Sequence, residues 1–313
     1  MKTLYSFIIS LLTLTSQAQH IEQYYDWAWK RTEPVSARFV ALIEKHGSLW
    51  ERRDYFLREK TMQMSGSYTD TSCKVAQGTF KYFHSNGNLA EMGEFVNGKK
   101  QGLWLSYHAN GMMQDSAMYE NGNMTGTGLK WHSNGYLYDS SVFKADGSGV
   151  SVSWFDNGVP ASAGIYSAGF KKNGKWKFFH KNGKPSAIEI YDNDKLANKE
   201  YFDEEGSVMD TTSRDREAFF KNGKEGWHKF ISRQLYFPQQ YKIVNADQAV
   251  VVVDAVIDED GNMTNVEVNT PFHPDFDKIA VDALRKSPKW TPAILHNRRV
   301  KYKIRQGVTF EQK

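Results

Sequence analysis

The chain has 313 residues, room for about two domains. Its 40 Lys and Arg against 36 Asp and Glu leave a net charge of only +4, which excludes nucleic-acid binding through bulk charge. One cysteine, Cys73, excludes an intramolecular disulfide, a CxxC redox pair and a multi-cysteine zinc site.

The first residues read as an address. Met1-Lys2 supplies a positive start, Leu4 to Leu14 is an apolar run broken only by hydroxyls, and Ser16-Gln17-Ala18 places small residues two apart. A membrane-crossing helix needs roughly 20 apolar residues. The shorter run predicts a cleaved secretory signal over residues 1–18 and a mature chain that starts at Gln19, outside the cytoplasm. There, Cys73 is expected as a small buried residue rather than a reactive thiol. Residues 19–49 read as a helical lead-in. Pro34 suits a first turn, Val35, Phe39, Leu42 and Ile43 keep helical spacing, and Gly47 can stop the helix.

From residue 50 to 209 the chain repeats itself. A turn glycine recurs at Gly87, Gly111, Gly135, Gly158, Gly183 and Gly206, at intervals of 23 to 25. Four residues before each stands an aromatic: Phe83, Tyr107, Trp131, Trp154, Phe179 and Phe202. Half a period later comes a second row, Phe95, Tyr119, Phe143, Tyr166 and Tyr191, mostly followed by its own turn, as at Asn97-Gly98 and Asn121-Gly122. Two turn signals per period mean two strands per repeat, and Asn-Gly supplies the positive φ that tight hairpins need. A fainter copy runs from Asp54-Tyr55-Phe56 to Gly66-Ser67-Tyr68. One hairpin cannot bury its own aromatic face, so neighbours must share a core, and both aromatic rows are expected mostly inside it.

Phe83-His84-Ser85-Asn86-Gly87, Gly93-Glu94-Phe95-Val96-Asn97-Gly98-Lys99 and Gly102-Leu103-Trp104 resemble the MORN-type repeat, in the variant of bacterial antitoxin-like proteins. The resemblance covers roughly residues 50 to 206 and implies an elongated antiparallel β-meander. His84, His108, His132 and His180 share one repeat position. Equivalent residues one hairpin along stand about 9.6 Å apart. Zinc ligands lie about 2.0–2.1 Å from their metal, so this row cannot converge on one, and packing histidines are expected. No nucleophile, paired-carboxylate or phosphate-loop pattern occurs, so the expectation is a non-enzyme with no cofactor, metal, small-molecule substrate or nucleic-acid partner.

Residues 210–224 are polar and read as a linker, and residues 225–313 as a separate domain. Trp227, Phe230, Ile231 and Leu235 form a helical stripe stopped at Phe237-Pro238. Ala249 to Ile257, the Asp258-Glu259-Asp260-Gly261 turn and Met263 to Thr270 make a hairpin. Phe276, Ile279, Ala280, Ala283 and Leu284 mark a helix that Pro288 ends. A final strand alternates Val300, Tyr302, Ile304, Val308 and Phe310 with Arg299, Lys301, Lys303 and Arg305. The fold class is therefore mainly β with a small α+β domain: a β-meander, then a three-stranded sheet with two helices on one face.

Phe237-Pro238, Val251-Val253-Ala255-Ile257-Asp258, Asp260-Gly261, Val266-Val268, Phe276-Asp277, Pro288-Lys289-Trp290, Pro292-Ala293 and Val308-Phe310 resemble the C-terminal domain of TonB-family energy transducers. Here Phe237 precedes the proline where that family usually has Tyr, and a repeat array precedes the domain where it has a Pro-rich stretch. The resemblance implies a periplasmic protein whose domain binds an extended segment of an outer-membrane transporter by strand addition. Phe237, Pro238, Arg299, Lys301, Lys303 and Arg305 are then the partner-binding candidates. The basic residues favour an acidic partner, although lysines on an edge strand also discourage pairing. The other function class is a non-transport scaffold whose array binds a protein, cell wall or lipid surface. Open sheet edges leave a homodimer through them open, without deciding the oligomeric state.

Overall fold

The computed structural model describes residues 20–212, 214–244 and 248–312. The expected signal, residues 1–18, lies outside the described residues. One antiparallel sheet holds sixteen strands in strict chain order. They are β1 (His20–Tyr25), β2 (Phe39–His46), β3 (Leu49–Phe56), β4 (Thr61–Tyr68), β5 (Ala76–Phe83), β6 (Leu89–Val96), β7 (Lys99–Tyr107) and β8 (Met113–Glu120). The second half is β9 (Asn123–Trp131), β10 (Leu137–Phe143), β11 (Gly149–Trp154), β12 (Pro160–Ser167), β13 (Lys171–Phe179), β14 (Pro185–Asp192), β15 (Lys195–Phe202) and β16 (Val208–Met209).

The lead-in is not a helix. A single 3-10 turn, Pro34–Ser36, precedes strand β2, which pairs on both sides. Phe39, Ala41 and Ile43 alternate with period two as well as fitting a helix, and all three are buried between neighbouring strands. Sheet pairing therefore overrides the helical reading.

Turn chemistry follows the repeat. Gly87, Gly111, Gly135, Gly158, Gly183 and Gly206 take φ from +81° to +90°, which a side chain would resist. Each closes a loop in which its N–H donates to the carbonyl four positions before Asn88 or its equivalent, as from Gly87 to His84. The histidines then bond the next repeat: Nε2 of His84, His108, His132 and His180 lies 2.9–3.0 Å from the carbonyls of Tyr107, Trp131, Trp154 and Phe202. Asn86, Asn110 and Asn134 add a parallel rung, each donating Nδ2 to a carbonyl of the following turn. The repeated His and Asn are thus staples between turns.

The most buried rings of the array belong to neither expected row. Phe80, Trp104 and Trp176 pack directly on Gly66, Gly93 and Gly164, where an added Cβ would come within 2.1–2.3 Å of the ring. The second row fills the spaces between them, with Phe95 edge-on to both Phe80 and Trp104 at 4.9 Å. The first row, Phe83 to Phe202, is only half-buried beside the turns. Cys73 is half-buried in a turn at φ +53°, and burial pushes its thiol up, so it is a poor nucleophile.

The C-terminal part adds α1 (Gly223–Gln234), β17 (Gln248–Ile257), β18 (Met263–Thr270), α2 (Pro274–Arg285), β19 (Ala293–Leu295), β20 (Arg298–Val300) and β21 (Tyr302–Glu311). The three-stranded sheet has the order β18-β17-β21, and both helices cover one face through Trp227, Ile231, Phe276, Ala280 and Leu284. Two sequence expectations change here. The final alternating run is broken at Lys301 into β20, which pairs with β19, and β21, which pairs with β17. The supposed linker is partly built in: Arg216 and Phe219 bridge Ile294 and Thr291, and Phe220 enters the core beside Trp227 and Trp290.

Candidate partner-binding edge and the contact that orients it

Strand β21 lies at the rim of its sheet and pairs over its whole length with β17 alone. Its inward side chains, Val308 and Phe310, anchor it in the core, while Lys303, Arg305, Gly307 and Thr309 are exposed. An edge of this kind presents unpaired N–H and C=O groups to an extended partner.

The six candidate residues do not form one cluster. Lys303 sits on β21 and has no ion-pair partner among the described residues. Arg305, directly opposite Asp254 in the ladder, donates two hydrogen bonds of 2.6 and 2.8 Å to that carboxylate, so its charge is already met. Lys301 lies just before β21 and reaches Asp156 in the array. Against the upward push of burial, Lys301 and Lys181 hold the Asp156 carboxyl at about 2. Arg299 is on β20, outside the edge strand. Phe237 packs edge-on to Phe276 at 5.3 Å, and Pro238 is buried, so both serve the core.

The domain is fixed against the array by residues that sequence reasoning did not single out. At the amino-terminal end, Arg38 donates to the carbonyls of Pro271 and Val250, and burial lowers its pKa to about 10. Midway, the Ser85 hydroxyl donates to the Val268 carbonyl of β18. At the far end, the tip of the β19–β20 hairpin enters the array. His296 stacks on Phe178 at 3.7 Å, and its Nδ1 lies 2.8 Å from Oε2 of the buried Glu189. Asn297 donates to the carbonyls of Ser186 and Phe202, and Arg298 to those of Ala161 and Phe179. Phe155, which stands where four other turns have histidine, lies beneath the Arg298 guanidinium at 5.1 Å. One of the two sheet edges, β18, therefore bonds to the array, while no hydrogen bond or ion pair of the β21 residues themselves reaches it among the described residues.

The available sequence signal for this latch was His296-Asn297 between Ala293-Ile294-Leu295 and Arg298-Arg299-Val300. Both residues take positive φ, +54° and +55°, as a two-residue hairpin turn demands.

One titratable group in this region carries a pH prediction. Asp277 on α2 accepts from the backbone N–H groups of Phe272 and His273, yet burial pushes its carboxyl up to about 6. Between the ordinary aspartate value and about 6, the folded chain keeps a proton that the unfolded chain has lost. Stability is expected to fall as pH rises through that window, and Asp277→Asn should flatten the slope in chemical denaturation at pH 4–7.

A family model described as the Gram-negative bacterial TonB protein C-terminal domain matches residues 233–311. A second, described as a MORN repeat variant, matches residues 76–97, 100–121 and 172–193. The stretch from 122 to 171, unmatched by either, holds Gly128 and Ser151 at the positions of Trp104 and Trp176. No curated protein matches the chain. Among solved structures, the crystal structure of TarM is similar at 11% identity over 40% of this chain, with a TM-score of 0.19. The match spans 19% of that structure's chain and carries no argument about fold. Among the described residues, no helix is long and apolar enough to cross a membrane.

Proposed function

We propose that this chain, a MORN-variant repeat region fused to a TonB-type C-terminal domain, is a periplasmic interaction protein that holds an extended segment of an outer-membrane transporter. The segment adds to the free edge of β21. The observation that carries this reading is the sheet order, which leaves β21 with one paired side, while the array bonds to the opposite rim. Lys303 supplies an unneutralised positive charge on that edge and favours an acidic segment. A signal sequence at residues 1–18 would deliver the chain to the compartment where such segments emerge.

The reading is tested by placing a photo-crosslinking residue at Lys303 in living cells and identifying the captured species by mass spectrometry. Capture of an extended amino-terminal segment of an outer-membrane transporter is the expected result. Capture of nothing overturns strand addition at this edge. Capture of only a second copy of the chain replaces it with a homodimer through sheet edges.

A further inference from the structure

We propose that the back of the repeat sheet, the face opposite Trp104 and Trp176, is a homodimer interface. The array carries there a stripe of large apolar residues that no described residue covers: Leu103, Met118, Val142, Val150 and Ile165 are 44–52% exposed. Sheet register places them side by side, with Leu103 opposite Met118 and Val142, Val150 and Ile165 in successive ladder positions. Two residues further along the strands, Leu105, Leu129 and Val152 extend the same face. Isolated exposed aliphatics need no explanation, but a contiguous patch marks an interaction surface.

The flanks of the stripe identify the occupant. On one side, β6 presents Glu94; on the other, β13 presents Lys175. Both are exposed, and neither has an ion-pair partner among the described residues. The stripe runs from β7 to β12, so its centre lies between β9 and β10. A two-fold axis parallel to the strands at that centre lays the stripe on itself and sets β6 of one copy over β13 of the other. Glu94 then faces Lys175 twice. The patch is self-complementary, as a two-fold interface must be.

Stacked sheets pack about 10 Å apart, within reach of these side chains. The ten strands from β5 to β14 at about 4.8 Å spacing, over three residue rows of about 7 Å each, offer on the order of 1,000 Å² per copy, enough for a standard interface of about 800 Å² per partner. The β21 edges and the docked domains lie off this face, so a dimer would present two binding edges at once and gain from avidity. The inference stands whether or not β21 binds a transporter.

Sedimentation analysis of the purified chain tests it. A dimer is expected, and either E94K or K175E should weaken it at least about tenfold, because each sets like charges opposite one another twice. The double swap E94K/K175E should restore assembly. Far-UV circular dichroism on every variant separates lost assembly from lost folding. A monomer at all concentrations, or a double swap no better than the single variants, overturns the proposal. So does co-sedimentation of a monomer with anionic phospholipid vesicles, which would assign the stripe to a membrane surface.

Discussion

Trp104→Ala should cost about 3–5 kcal/mol, the range for removing a fully buried large aromatic. In a chain of 313 residues that lowers the unfolding temperature by roughly 5–8 °C. The ring is 2% exposed and packs on Gly93, where no side chain could replace the lost volume without moving the strand. Phe95 and Tyr119 meet it edge-on, its Nε1 donates to the Glu94 carbonyl, and Lys100 stands 3.8 Å from its centre. Truncation therefore leaves a cavity, an unpaired carbonyl and two rings without their neighbour. Ser151→Ala is the matched control. That site holds the equivalent position one copy before Trp176 but carries only a hydroxyl, which donates to Asp139, and its removal should cost about 0.5–1.5 kcal/mol. Equal losses at the two sites, read by thermal denaturation, would show that the stacked aromatics are not what holds the array together.

The contrast also separates what the sequence made legible from what it did not. Turn glycines at a 23- to 25-residue interval could be read because each is needed locally for a positive φ. The same local logic exposed the β17–β18 hairpin and α2, whose stripe of Phe276, Ala280 and Leu284 is visible without knowing its partner. Residues whose role depends on a distant chain segment left no such signature. Phe39 to Ile43 fit two periodicities, and only the neighbouring strands decide between them. Phe220 sits in a polar stretch, and its burial depends on Trp290, seventy residues away. Of the candidate site, the edge strand and Lys303 were readable from alternation. The fates of Arg305 and Lys301 were not, because they rest on Asp254 across a ladder and Asp156 across the domain contact. The turn histidines show the intermediate case: their repetition suggested a shared role, and only the geometry of the next turn revealed it as bonding to a carbonyl.

The latch is the second place where a single substitution should have a large effect. Arg298→Ala is expected to loosen the C-terminal domain from the array. Its guanidinium donates to carbonyls on β12 and β13, lies over Phe155 and Phe178, and is buried enough that its pKa falls to about 10. Removing it strips one donor from each of two part-buried carbonyls and opens a gap over two rings, a loss of about 2–4 kcal/mol. Because the contact joins two units with separate cores, the loss should appear as lost coupling rather than uniform weakening. Calorimetry is expected to resolve two transitions in Arg298→Ala where the parent chain shows one, and protease sensitivity should rise at the segment before Arg216. Arg298→Lys should give an intermediate result, since an ammonium cannot bond both carbonyls in the same fork. A single unshifted transition in the alanine variant would place the coupling elsewhere, at Arg38 and Ser85. The distinction bears on function. If partner segments pull on β21, the hairpin tip passes that load into the array, and its strength sets how far the domain and the repeats behave as one body.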